Sequence, residues 1–236
     1  LRSRAVAAEP WKVIDYARYF LSGMAAEGML ACGKHFPGLG GATVDSHQST
    51  PVIHRQTRQM WRTDLSPWLA VGGRLPFAMV AHASYPWPGR DPALATVSHY
   101  WVTNVLRRQI RFRGIILSDD MEMGGILSQM PIEQAVVQAL QAGIQMIEIC
   151  RDPELTMRAY EALLREAERS KAFTALIASA WRKIYRSKKK WLRPVLRQNL
   201  SQARIRRLCE DVRDFANQVG ETPVASVDPT GWNGKR

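Results

Sequence analysis

Cysteine is scarce in this chain: Cys32, Cys150 and Cys209 are the only three in 236 residues. They are odd in number, far apart and never in a C-x-x-C pair. That spacing excludes a disulfide framework and a zinc knuckle, and it predicts a reducing, cytoplasmic setting. Long apolar runs are also missing. None approaches the roughly 20 residues that a membrane-spanning helix needs, so no membrane span is expected. The N-terminus lacks the charged-then-apolar layout of a signal peptide. It opens at Leu1 without methionine, as a fragment of a longer chain would, and a targeting segment upstream stays open. Acidic residues are outnumbered, 21 against 33 lysines and arginines, giving a formal net charge of +12. The excess gathers between Arg182 and Arg213, so it characterises the C-terminal region and not the fold.

What remains is ordinary for a globular core: 46% hydrophobic and 23% charged residues, enough chain for one domain and a tail. Helical spacing of Val13, Ala17, Phe20, Leu21 and Met24 predicts a helix over 10–27, stopped by Gly28. Residues 29–33 read as a strand that delivers Lys34 and His35 into a Gly/Pro-rich loop ending near His47. Helical spacing returns over 56–72, interrupted or restarted at Pro67. Residues 77–82 form a second strand candidate, followed by a loop over 83–92 and a helix over 97–108 capped by Thr96 or Ser98. Residues 114–117 are the third strand, 131–142 a helix stopped by Gly143, and 144–150 the fourth strand. A helix then starts at Asp152 or Pro153 and runs to about Ser170.

Helix, strand and loop thus recur at the interval of a parallel α/β sheet. The fold class expected is a (β/α)8 TIM-type barrel of which only about the C-terminal half is present. Residues 1–170 would form that part. Residues 171–219 read as a basic helical extension, two amphipathic helices over 172–185 and 200–219 joined by Arg186–Lys190 and Pro194. Residues 220–236 are expected to be disordered.

Several residues carry chemistry, each with a plainer explanation. Asp119, at the end of a short apolar strand beside Asp120, can serve as nucleophile or electrostatic stabiliser; an S-D-D triplet taken alone more often caps a helix. Asp45 and His47 are two apart, so the carboxylate can fix the imidazole for proton transfer near neutral pH; alone, they are a turn aspartate and a surface histidine. Lys34 and His35 can meet substrate oxygens, with Gly38, Gly40 and Gly41 leaving room, or be a solvated lysine and a satisfied core histidine. His82 reads as structural. No role is assigned to His54 or His99.

The order of these pieces is more specific than any one of them. K-H-F-P-G, then D-S-H, then M-V-A-H with Tyr85 and Pro86, then G-I-I-L-S-D-D-M resembles the family 3 glycoside hydrolases, within them the bacterial β-N-acetylglucosaminidases of cell-wall recycling. The resemblance runs from about Arg4 to Leu164. It implies Asp119 as nucleophile, His47 assisted by Asp45 as general acid/base, and Lys34, His35 and Arg4 as sugar-binding residues. It also implies retaining exo-hydrolysis of terminal β-linked N-acetylglucosamine from muropeptides, with a carbohydrate as the partner and neither metal nor other cofactor. Leu39 departs from the family's usual P-G-H-G. Whole members carry some hundred or more residues before this point, with the first barrel strands. Alternatives stay open: an inactive or incomplete sugar-binding remnant, a β-glucosidase or phosphorylase of the same family, or a metal-dependent hydrolase using His35, Asp45, His47, His82 and Asp119. Nucleic-acid binding by the basic tail is not expected, because no aromatic stacking platform is evident.

Overall fold

Phe77–Val80 and Ile115–Leu117 have no polar face, as expected of strands covered on both sides, and they form the centre of a parallel sheet. The computed structural model describes residues 5–192 and 201–218. Six strands follow one another: β1 (Cys32–Phe36), β2 (Phe77–Val80), β3 (Ser84–Trp87), β4 (Arg90–Leu94), β5 (Ile115–Asp120) and β6 (Met146–Glu148). β1, β2, β5 and β6 form one sheet in that order, every pair parallel. Parallel neighbours require crossovers, and these are helical. Eight α-helices are described: α1 (Pro10–Ala26), α2 (Thr57–Arg62), α3 (Ser66–Val71), α4 (Gly124–Leu127), α5 (Ile132–Ala142), α6 (Pro153–Arg169), α7 (Lys171–Trp191) and α8 (Gln202–Gln218).

The sheet has two distinct faces. Ala78, Val80 and Ile116 are fully buried and join the main hydrophobic cluster with Trp101, Val105, Val136 and Ala139 from the helices. Aromatic edges tie this side together, with Phe36 against Trp68 at 5.4 Å and against Trp101 at 6.5 Å. Each such buried side chain contributes roughly 1.5–3 kcal/mol. The alternate residues Cys32, Lys34, Phe77, Met79, Ile115, Leu117, Met146 and Glu148 share the other face by strand periodicity, and β5 shifts register beyond Leu117. Met79, Ile115 and Leu117 are buried there but stand outside the main cluster.

Several boundaries differ from the sequence reading. β1 begins at Cys32 and not at Met29, and it runs on through Lys34 and His35 to Phe36. Of the two readings of Pro67, a break or a restart, the restart holds: it opens α3, since it lacks the N–H a helix interior would use. The expected loop over 83–92 contains the β3–β4 hairpin, turned at Gly89 with φ +72. Tyr100–Gln109 winds as a π-helix, with Ile110 N–H bonded five residues back to Val105 O at 2.9 Å. The Gly143 stop is a left-handed C-cap with φ +113, as such a cap requires. Asp152 caps α6 through Glu154 and Leu155 N–H.

The basic run Arg186–Lys190 is not a linker. It continues α7, because lysine and arginine are good helix formers and no proline intervenes before 194. α7 buries Phe173, and its last residue Trp191 packs edge-on against Phe77 at 5.5 Å. Two compact units result, Leu1–Leu192 and Arg193–Arg236. Of the second, α8 is described, with Ile205, Leu208, Val212 and Phe215 exposed along it. Arg4, Pro194 and the segment 220–236 lie outside the described residues.

Candidate active site

All four parallel strands end on the same side of the sheet, and the chemistry-bearing residues stand at those ends. β1 carries Lys34 and His35, β5 carries Asp119 and Asp120, and β6 ends at Glu148. Within β1 the register shifts between Gly33 and Phe36, and the Lys34–His35 and Phe36–Pro37 peptide bonds are cis. His35 reaches across: its Nε2 stands 3.4 Å from Asp119 Oδ2, with both side chains largely buried.

Asp119 is a strand residue and not a helix cap. Its Oδ1 accepts the N–H of Asp120, and Asp120 Oδ1 accepts that of Glu122, while α4 has no side-chain cap. Ser118 is fully buried and its Oγ accepts the N–H of Glu148 at 3.0 Å, which fixes β6 beside β5 just below the site. Glu122 receives the N–H groups of Arg151 and Asp152 and so anchors the loop beyond β6.

Asp45 and His47 form the expected pair. Asp45 Oδ1 accepts both the backbone N–H of His47 at 3.0 Å and its Nδ1 at 2.8 Å. The backbone bond first, then the ring bond, hold the Asp45 carboxyl below the usual carboxylate range. With Nδ1 engaged, Nε2 is the nitrogen left to exchange a proton. Both side chains are more than half exposed, at 54% for His47 and 64% for Asp45.

This loop is fastened to the segment that follows Asp119. Gly124 N–H donates to His47 O at 3.0 Å, Gly125 N–H donates to Ser46 O at 2.9 Å, and the Thr50 hydroxyl donates to Gly125 O at 2.7 Å. No side chain fits between them. A Cβ on Gly124 would lie 2.4 Å from Gln48 O, and one on Gly125 would lie 2.7 Å from Ser46 O. The two glycines therefore set how near the His47 loop comes to the end of β5.

Two glycines of the earlier loop, Gly38 and Gly41, act differently from expectation. Gly38 does not leave room for a substrate: at φ +148 its position for a Cβ lies 2.8 Å from Asp64 Cβ. Asp64 is itself held by Arg55 at 2.6 Å and by the Thr63 hydroxyl, and the Tyr85 hydroxyl donates to Gly38 O. The K-H-F-P-G turn is thus packed on a partly buried ion pair. Gly41 likewise faces Ile53 and Arg55.

His82 is fully buried and structural in its contacts. Its Nε2 donates to Asp120 O at 3.1 Å, and its Nδ1 lies 2.7 Å from the Thr96 hydroxyl. Burial holds its imidazole below the usual histidine range, against the pull of the Asp119 charge. Among the described residues no group of three or more His, Cys, Asp and Glu is arranged to hold a metal ion. Arg55, Thr50, Asp64, Glu122 and Glu148 escaped the sequence reading, since each is a lone polar residue with no local pattern.

Comparison with known proteins gives this geometry its context. Residues 2–187 match the glycosyl hydrolase family 3 N terminal domain. A beta-hexosaminidase of Idiomarina loihiensis is 38% identical over 165 residues, which is 70% of this chain and 49% of that protein. One of Bordetella avium is 38% identical over 154 residues, 65% of this chain and 43% of the relative. The chain thus spans about half the length of the curated relatives it matches. Among solved structures, the β-N-acetylglucosaminidase of Thermotoga maritima superposes with a TM-score of 0.68 at 29% identity, covering 76% of this chain and 39% of that one. The β-N-acetylhexosaminidase of Beutenbergia cavernae does so with 0.70 at 26%, covering 77% and 53%. The parallel sheet and crossover helices correspond to part of a (β/α)8-type barrel, and the chain belongs to glycoside hydrolase family 3.

Proposed function

We propose that this chain supplies the catalytic residues of a retaining exo-β-N-acetylglucosaminidase. Asp119 attacks the anomeric carbon of a terminal β-linked N-acetylglucosamine while His47, protonated and oriented by Asp45, gives its proton to the departing glycosidic oxygen. The glycosyl ester on Asp119 is then opened by water, whose proton returns to His47. Lys34, His35 and Arg4 bind sugar oxygens, and His35 also stands against Asp119. With Nδ1 held by Asp45, the proton is exchanged at Nε2.

The observation that carries this reading is the attachment of the Asp45–His47 loop to Gly124 and Gly125, a few residues beyond Asp119. The hexosaminidase relatives support the sugar. Muropeptides as its source rest on the resemblance of the K-H-F-P-G, D-S-H and S-D-D segments, and a cytoplasmic setting on three free cysteines. Comparing turnover of an aryl N-acetylglucosaminide and an aryl glucoside by the polypeptide that carries this chain tests the reading. Preference for the glucoside, or consumption of phosphate during turnover, overturns it.

One observation favours a second reading, a sugar-binding remnant: β1 and β6 are the two edges of the sheet among the described residues. Trp11, Tyr16, Tyr19 and Phe20 are exposed along α1, as are Met157, Tyr160 and Leu164 along α6. Retained sugar binding without turnover by this chain alone is the result that reading expects.

A further inference from the structure

We propose that Glu148 accepts a hydrogen bond from a free hydroxyl of the sugar bound over Asp119, and with Lys34 selects a terminal residue at that hydroxyl. This inference deepens the functional reading above and rests on it. It starts from the sheet. Glu148 is two residues on from Met146, which pairs with Leu117, and so lies on the Leu117 face; across a register shift in β5 it pairs with Asp120, next to Asp119. Lys34 is two residues on from Cys32, which pairs with Phe77 on that same face. A carboxylate, the candidate nucleophile and an ammonium group thus stand together at the strand ends, with Glu148 beside the β5 segment that carries Asp119.

The backbone at Glu148 is fixed on both sides. Its N–H donates to Ser118 Oγ at 3.0 Å, and its carbonyl accepts the N–H of Met121 at 2.9 Å. The side chain is half-buried, yet among the described residues its carboxylate has no hydrogen bond and no ion pair within 4.0 Å, and neither has the Lys34 ammonium. Both nonetheless act on each other through space, and burial followed by the Asp119 charge holds the Glu148 carboxyl above the usual range. A partly desolvated carboxylate with unused lone pairs calls for a donor. A sugar hydroxyl can donate to Glu148 and accept from Lys34 at once. An oxygen already carrying a further sugar has no hydrogen to give, so the same carboxylate disfavours internal residues.

The test is a double-mutant cycle between residue and substrate. Glu148→Leu and Glu148→Gln are compared with the unmodified enzyme on an aryl N-acetylglucosaminide and its monodeoxy analogues. Melting temperatures establish that the variants are folded. Removing one particular hydroxyl should cost the unmodified enzyme roughly 10- to 100-fold in kcat/KM, the value of a hydrogen bond to a charged group. Glu148→Leu should lose a similar factor on the parent substrate and nothing further on that analogue. Glu148→Gln, which keeps an acceptor oxygen, should lose less.

Equal additional losses on every analogue, or parent activity within about twofold of the unmodified enzyme, overturn the inference. If the unmodified enzyme turns over no N-acetylglucosaminide, the functional reading has failed. The same cycle read as dissociation constants for the free sugars then decides the role of Glu148 separately, absence of coupling counting against it.

Discussion

His35 Nε2 stands 3.4 Å from Asp119 Oδ2, and this contact spans β2 to join the ends of β1 and β5. It gathers two motifs 84 residues apart onto one side of the sheet, a separation given by 119 less 35. Both residues lie in register shifts, His35 in β1 and Asp119 in β5, where simple strand alternation is broken.

A histidine acid should betray itself through the leaving group. His47→Ala is expected to lower kcat/KM, which reports the step in which the leaving group departs, by roughly 10²- to 10⁴-fold on a substrate with a poor leaving group. The loss should shrink on an activated aryl glycoside that departs without protonation. Steady-state kinetics over a series of phenols checks this, and a loss independent of phenol acidity counts against His47 as the acid. Asp45→Asn should show the same trend more weakly.

The Gly124 contact gives a geometric prediction. Gly124→Ala places a Cβ where Gln48 O now lies 2.4 Å away and should push the His47 loop off the end of β5. Activity is expected to fall about 10²-fold, because misplacing a catalytic group by about 1 Å costs that much. Inhibitor affinity at Asp119 should be kept. Unchanged kcat in the variant would show that the loop is not held by this contact.

Burial of His82 links stability to pH. Its folded pKa is below the ordinary 6.5, so as pH falls through that value the unfolded chain takes up a proton that the folded one refuses. Stability is therefore fully present above about pH 6.5 and declines below it, with a slope approaching ~1.4 kcal/mol per pH unit. Denaturant midpoints between pH 7.5 and 5 measure this. His82→Asn should start lower and lose that slope; an identical slope in both proteins contradicts the linkage.

Much of this was legible in the sequence where the physics is local. Apolar runs ended by polar residues marked β2 and β5, Gly143 marked the end of α5, and the two-residue spacing of Asp45 and His47 foretold their bond. The hairpin at 84–94 was not legible, because Pro86 and Pro92 mask the strand pattern. Neither was the α7 continuation through Arg186–Lys190, where charge suggested a linker but helix propensity and the Trp191–Phe77 contact prevail. Long-range partners such as Asp64 with Gly38, or Ser118 with Glu148, have no local periodicity at all. They emerge only once the parallel register sets strands from distant parts of the chain side by side.

Covalent trapping tests the central claim most directly. The polypeptide carrying this chain is incubated with a fluorinated N-acetylglucosaminyl donor whose second step is slow, then digested and mapped by mass spectrometry. The account predicts one glycosyl adduct, on the peptide holding Asp119, and none in Asp119→Ala. An adduct on Asp120, Glu122 or Glu148, or rapid turnover by Asp119→Ala, would contradict it.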